Sequence, residues 1–288
     1  MRKFIVAPEF DRFKIDRYLK RVMGYSARGL RQLDIYVNGK RLKNLDKIVR
    51  KLNRVLVVEK EKETGIVPMD IPLRVVYEDK NMLLIDKDAG IVVHPTEKKV
   101  AVTLANGLVN YFLKTEGKIL VPRFFNRLDM NTTGLIIAVK NAWTQNFLQK
   151  QGKVKKYYLA LAHGIIDKDE FLIDIPIGRK NEELFRQKMT PEEGGQEAKT
   201  LIRVIQRIPT RNLTLLEAEL LTGRTHQIRA HLNILGHPLL GDELYGGGDP
   251  RVSRQMLHSY KCVFTVPETG ETKTVEIGPP EDMRIWFQ

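Results

Sequence analysis

Phe125-Asn126-Arg127-Leu128-Asp129-Met130-Asn131-Thr132-Thr133-Gly134-Leu135-Ile136-Ile137-Ala138-Val139-Lys140 joins two kinds of sequence. Residues 135–139 are an unbroken apolar run of strand length, which predicts a buried strand. Ahead of it Asn131, Thr132, Thr133 and Gly134 are turn formers, so Asp129 sits in a polar loop at the edge of a sheet. A carboxylate there accepts backbone N–H bonds and has two uses. It closes an Asx turn, or it stays ionised and acts as a nucleophile. This stretch alone leaves both open.

Working outward, further strand-like runs fall at 73–77, 82–86, 157–162, 200–205, 213–221 and 263–266. Helical spacing appears at 102–113, 142–150 and 226–235. Strands outnumber helices and do not alternate with them regularly. The expectation is therefore an α+β domain with a mixed, mainly antiparallel central sheet flanked by helices and loops, over residues 72–288. Lys60 to Gly65 is charged and Pro68 and Pro72 follow, so residues 64–71 read as a linker.

The chain has 288 residues, 42% hydrophobic and 29% charged, enough for one or two domains. No apolar run approaches the roughly 18 residues of a membrane span. Met1-Arg2-Lys3-Phe4 does not lead into the apolar core of a signal peptide. The single cysteine, Cys262, cannot form an internal disulfide and reads as a small core residue. A cytoplasmic location is the expectation. Net charge is +13, yet residues 1–63 alone hold 18 Lys and Arg against 8 Asp and Glu. A basic module joined to a near-neutral one fits that asymmetry, and phosphate backbones are the usual partner of such a module. A merely solubilising cationic face is the other reading.

Within that module Ile15, Leu19 and Val22 follow helical spacing, and Ser26 is placed to cap a second helix carrying Arg28, Leu30, Arg31 and Leu33. Ile35-Tyr36-Val37 is strand-like, Asn38-Gly39 signals a tight turn, and Val55 to Val58 reads as a closing strand. The two helices and the run Val37-Asn38-Gly39-Lys40 resemble an S4-type RNA-binding domain of αα-β form. That resemblance implies that Arg28, Arg31, Lys40, Arg41 and Lys43 track an RNA backbone.

A second motif is Leu221-Thr222-Gly223-Arg224-Thr225-His226-Gln227-Ile228-Arg229-Ala230-His231-Leu232. Thr222-Gly223 breaks a strand, Thr225 is placed to cap a helix, and Ile228, Leu232 and Leu235 form its apolar stripe. Arg229 lies off that stripe, either as a surface charge or as a functional group. His226 and His231 are five apart, not the i, i+4 of a zinc pair, and no Glu or Cys completes a set, so no metal is expected.

Taken together, the motifs around Asp129 and Arg229 resemble RluA-type pseudouridine synthases. Gly236-His237-Pro238, Gly241-Asp242-Glu243-Leu244-Tyr245-Gly246, Lys156-Tyr157-Tyr158-Leu159-Ala160 and Gly90-Ile91-Val92-Val93-His94-Pro95 extend the match in the same order. The resemblance covers about residues 70 to 288. It implies isomerisation of uridine in structured RNA with no cofactor; the S4-like domain favours ribosomal RNA, with transfer RNA as the alternative, and a monomer is the expectation although the sequence does not fix the oligomeric state. It implies Asp129 as nucleophile and Arg229 as its ion-pair partner through a bond that can be bidentate. Tyr158 would stack on the flipped base, with a share in removing the C5 proton. Arg127 would enter the RNA helix, Ile228 would line an apolar floor, and Arg224 and Thr225 would contact substrate. The family pattern has histidine where Asn126 stands and proline where Asp88 stands. A non-catalytic RNA-binding factor is the competing reading, with a hydrolase using His226 and His231 behind it.

Overall fold

The computed structural model describes residues 1–60, 64–95, 102–150, 153–179, 189–191 and 194–288. The Arg28 side chain and residues 61–63, where the basic module is expected to end, lie outside them.

The N-terminal part comprises β1 (Arg2–Ile5), α1 (Ile15–Arg21), α2 (Ala27–Leu30), β2 (Leu33–Val37), β3 (Lys40–Arg41) and β4 (Arg54–Glu59). Its strands pair in the order β1-β4-β2-β3. Ser26 caps α2 by accepting the Gly29 N–H at 2.9 Å. The helix is shorter than its apolar spacing suggests, because Leu33 already belongs to β2. β1 is an addition that the sequence pattern does not announce. Asn38 and Gly39 both take positive φ, as a tight hairpin turn requires. Ile15, Tyr18, Leu19, Ile35, Val55 and Val57 form a core of their own, closed on one side by Trp143 from the following region.

That region comprises β5 (Arg74–Glu78), β6 (Met82–Lys87), α3 (Leu104–Glu116), β7 (Arg123–Phe124), β8 (Thr133–Val139), α4 (Ala142–Lys150), β9 (Lys155–His163), β10 (Glu170–Asp174), β11 (Ile177–Arg179), β12 (Met189–Pro191), β13 (Lys199–Ile208), β14 (Leu213–Leu220), α5 (Gln227–Ile234), β15 (Leu257–Thr265), β16 (Thr272–Glu276) and α6 (Glu281–Arg284). The main sheet runs β10-β13-β14-β9-β15-β8-β6-β5, with β16 on β15 and β7 on β8. Among its described pairs only β15 and β8 are parallel, so the sheet is mixed and mainly antiparallel, as the sequence predicts. All seven residues of β8 are buried, because both faces of the sheet are covered. On one face Ile136, Ala138, Tyr158 and Ala160 pack with α3 (Leu108, Phe112) and α5 (Ile228, Leu232). On the other, Leu135, Ile137 and Val139 pack with Leu148 of α4, Cys262 and Phe264. No described helix is long and apolar enough to cross a membrane.

Candidate active site

The loop before β8 is fixed from behind. The Lys87 ammonium, 1% exposed, donates to the carbonyls of Asp88 (2.8 Å), Ile91 (3.1 Å) and Met130 (2.9 Å). Burial pulls its pKa down to about 8, against the opposing field of Asp129. Arg254 donates to the Asn131 carbonyl at 3.4 Å and forks onto Asp282 of α6 at 2.6 and 2.8 Å. The Gln255 amide donates to the Thr132 hydroxyl at 3.1 Å, and the Thr133 hydroxyl lies 2.9 Å from His258 Nδ1. Buried Asn126 accepts the Ile137 N–H at 2.8 Å and donates to the Leu135 carbonyl at 3.4 Å, latching the loop to β8. Asp88 is held by the Arg74 guanidinium at 2.5 Å, which ties the turn in place of a proline.

Gly134 sets how close β15 comes. It has φ +107°, and a Cβ there would lie 2.2 Å from the Ser259 carbonyl oxygen. Only glycine fits, and the parallel pairing of Thr133 with His258 follows from it.

This frame presents Asp129 to Arg229. Arg229 Nη1 donates to Asp129 Oδ2 at 2.8 Å. The arginine's two-pronged bond goes elsewhere: Nε and Nη2 donate to the two oxygens of Asp242 at 2.7 and 2.8 Å. The bidentate pairing open to Asp129 is thus taken by Asp242, a carboxylate with 1% side-chain exposure. Burial works against the charge of Arg229. The hydrogen bonds that Arg229 donates to Asp242 and the fields of both carboxylates outweigh it and raise its pKa. Asp129 keeps 27% side-chain exposure, and the described residues touch its carboxylate only through Oδ2, His226 Nε2 standing 3.8 Å away. Oδ1 makes no hydrogen bond or ion pair among the described residues.

The surroundings divide by polarity. Tyr158, Ile228 and Leu128 belong to one buried apolar cluster. Tyr158 feels the field of Asp129, and burial raises its pKa, so the phenol stays protonated at neutral pH. On the outer side, exposed Arg127 donates to the Thr225 hydroxyl at 3.1 Å, joining the two motif loops across 98 residues. Arg224 donates from Nε to the Glu197 carbonyl at 2.9 Å. Arg31, Lys40, Arg41 and Lys43 are exposed on the separate N-terminal part; Arg41 is paired with Asp34.

Thr225 does not cap α5. The residue before the helix is His226 in the left-handed region (φ 54°), a strained conformation for a non-glycine residue. The turn is instead held by Gln227, whose side-chain oxygen accepts the Arg224 N–H at 2.9 Å and whose amide donates to the Lys199 carbonyl. His226 is turned edge-on to Tyr245, and the Arg229 guanidinium lies 5.2 Å from the Tyr245 ring centroid. His231 points away, its ring nitrogens 2.9 Å from the Thr200 hydroxyl and 3.0 Å from the Ile175 carbonyl. Sequence reasoning quotes Asp242 and Tyr245 within a motif but gives them no role. Their signal was the Gly241-Asp242 pair: a Cβ on Gly241 would lie 2.0 Å from the Arg254 carbonyl oxygen, so the chain must pass tightly there.

A family model described as RNA pseudouridylate synthase matches residues 81–233. A Bacillus subtilis (strain 168) protein, named as an uncharacterized RNA pseudouridine synthase, is 39% identical over 82% of this chain and 79% of its own length. A Nitrosomonas europaea protein named ribosomal large subunit pseudouridine synthase D is 37% identical over 82% of this chain and 70% of its own. Among solved structures, human RNA pseudouridylate synthase domain containing 1 matches with a TM-score of 0.59 at 27% identity, covering 75% of this chain and 86% of that one.

Proposed function

The chain belongs to the RNA pseudouridylate synthase family, and from that premise we propose that it isomerises a uridine of large-subunit ribosomal RNA with Asp129 as the nucleophile. The observation that carries the reading is the Asp129 carboxylate: part-exposed, with one oxygen on Arg229 and the other free of bonds among the described residues, beside an apolar floor. The ribosomal substrate is suggested by the name of the Nitrosomonas relative.

The target base must leave its stack to reach Asp129. Arg127, exposed and joined to Thr225, stands where it can fill the vacated space. Tyr158, Ile228 and Leu128 offer the flipped base an apolar wall. Arg229 orients Asp129 through the 2.8 Å bond to Oδ2, a charge-assisted contact that fixes where the carboxylate points. The N1–C1′ bond then breaks and a C5–C1′ bond forms, while C5 loses a proton and N1 gains one. Attack at C1′, attack at C6 and assistance to loss of the base all begin from the same carboxylate. No electrons enter or leave the balance. Tyr158, held as a neutral phenol, serves as wall and hydrogen-bonding group rather than as a phenolate base in the free enzyme.

Asp129→Asn tests the assignment. Pseudouridine formation should be lost while RNA binding persists, since the amide keeps size and polarity but cannot attack. Wild-type rates in that variant would sink the nucleophile. Mapping pseudouridines in ribosomal and transfer RNA, with and without the protein, decides the substrate class.

A further inference from the structure

A cleft of about 1020 Å³ separates β1 and β4 from the main sheet, far from Asp129. Arg123, on its wall, is registered against Val139, at the opposite end of β8 from Thr133. With strand residues rising about 3.3 Å each, the cleft lies roughly 20 Å along the strand from the nucleophile's loop. Seven Lys or Arg line it against three Glu. Some of these cations are committed: Lys140 pairs with Glu78 and Glu116, and Lys80 with Glu268. Arg123 is not. Its one hydrogen bond among the described residues is to the Val121 carbonyl at 3.2 Å, and burial lowers its pKa with only the field of Glu59 opposing. Lys3, on edge strand β1, is exposed and pairs with no described carboxylate.

Behind the cleft, sharing Tyr25, Glu59, Arg123 and Trp143 with it, is a recess of about 40 Å³. Two buried donors on its wall have no partner: the Tyr25 hydroxyl and the Asn146 amide nitrogen. A buried donor left without a partner is costly, so each is a ready hydrogen-bonding group. Both donors line the recess, which shares its wall with the cleft. Arg123, which makes no ion pair among the described residues although the field of Glu59 reaches it, exposed Lys3 and two unpartnered donors behind them form one donor-rich wall suited to an anion.

We propose that this cleft holds the sugar–phosphate backbone of the substrate RNA several nucleotides from the target uridine, with Arg123 and Lys3 on the phosphates. The proposal rests on the reading that the protein acts on RNA. It accounts for how a single catalytic pocket measures a position within a longer structure: two points about one strand length apart must be occupied together.

The test compares wild type with Arg123→Gln and Lys3→Gln on two RNAs, a short hairpin that fills only the catalytic centre and one extended past it. Affinity is read by fluorescence anisotropy at several salt concentrations, so that no turnover is needed. On the extended RNA each substitution should weaken binding several-fold and reduce the slope of log affinity against log salt by about 0.7–0.9, the value of one lost phosphate contact. On the hairpin, wild type should already show the shallower slope. Equal affinities and slopes for wild type and variants on the extended RNA would overturn the proposal. If Arg123→Gln fails to fold, Lys3→Gln at its exposed edge position still decides. Wild type that binds the extended RNA through the cleft but forms no pseudouridine would refute the isomerase reading and leave the cleft standing.

Discussion

The charges of the catalytic centre and those of the N-terminal module differ in what holds them. Arg229 is buried and spends its fork on Asp242 and a further nitrogen on Asp129. Arg254 is 4% exposed and fixed by Asp282 and three carbonyls. Lys40 and Lys43 stand in solvent with no described carboxylate partner. A buried charge with satisfied neighbours has one position, so its effect is geometric and little screened by salt. An exposed lysine samples many positions, so its effect is a field that attracts phosphate and fades with ionic strength. The proposed function assigns the first kind to turnover and the second to encounter and affinity.

The sharpest way to break that comparison is Asp242→Ala. Arg229 keeps its ion pair with Asp129 but its Nε and Nη2 donors are left buried and unpaired, at about 1–3 kcal/mol of stability each. Arg229 then swings toward Asp129, and a misplacement of about 1 Å at the nucleophile costs about 10²-fold in kcat. Thermal melts and single-turnover rates measure the two effects; a fall in KM-type affinity alone would mean that Asp242 acts on binding instead.

His258 gives the next largest effect, through pH. Burial first, with the field of Arg254 added, lowers its pKa from 6.5 to about 4. The unfolded chain therefore binds this proton between pH 6.5 and 4 while the folded chain does not. Stability should fall as pH drops through that window, by about 3 kcal/mol in all, and this histidine adds no slope above pH 6.5. His258→Gln should flatten the wild-type decline in denaturant melts at pH 7, 5.5 and 4.

The smallest effect is expected at the surface. Lys40→Gln with Lys43→Gln should raise KM for RNA and reduce the salt slope by about 0.7–0.9 per lost contact, measured as affinity across salt. Loss of kcat instead would place these lysines in the geometric class and blur the division.

Strand positions were legible because a continuous apolar run of strand length has little else to become: 82–86, 135–139 and 157–162 all fall inside β6, β8 and β9. α4 was legible from its period, with Trp143 and Leu148 turned inward. β1 was not, since four residues alternating between half-buried and exposed carry almost no signal. Asp129, Arg229 and Tyr158 were singled out through motif order rather than local chemistry. Asp242 was hidden because its partner lies 13 residues back in the chain, and the fork it occupies was expected on Asp129. Lys87 reads as a solvated charge at a strand end. Its burial follows from the Asp88 and Ile91 carbonyls of the turn at 88–91 meeting the Met130 carbonyl of a loop 43 residues on, which residue type alone does not show.

The parallel seam between β8 and β15 has a consequence for synthesis on the ribosome. Asp129 meets Arg229 across 100 residues, and the clamp on Asn131 comes from 123 residues downstream. Contacts so distant form late, whereas the N-terminal core closes largely from residues within the first sixty. A growing chain thus has its basic module folded long before its carboxylate has a counter-ion or its loop a backing. Chain order by itself leaves the Asp129 loop without its backing until the segment through Asp282 has emerged.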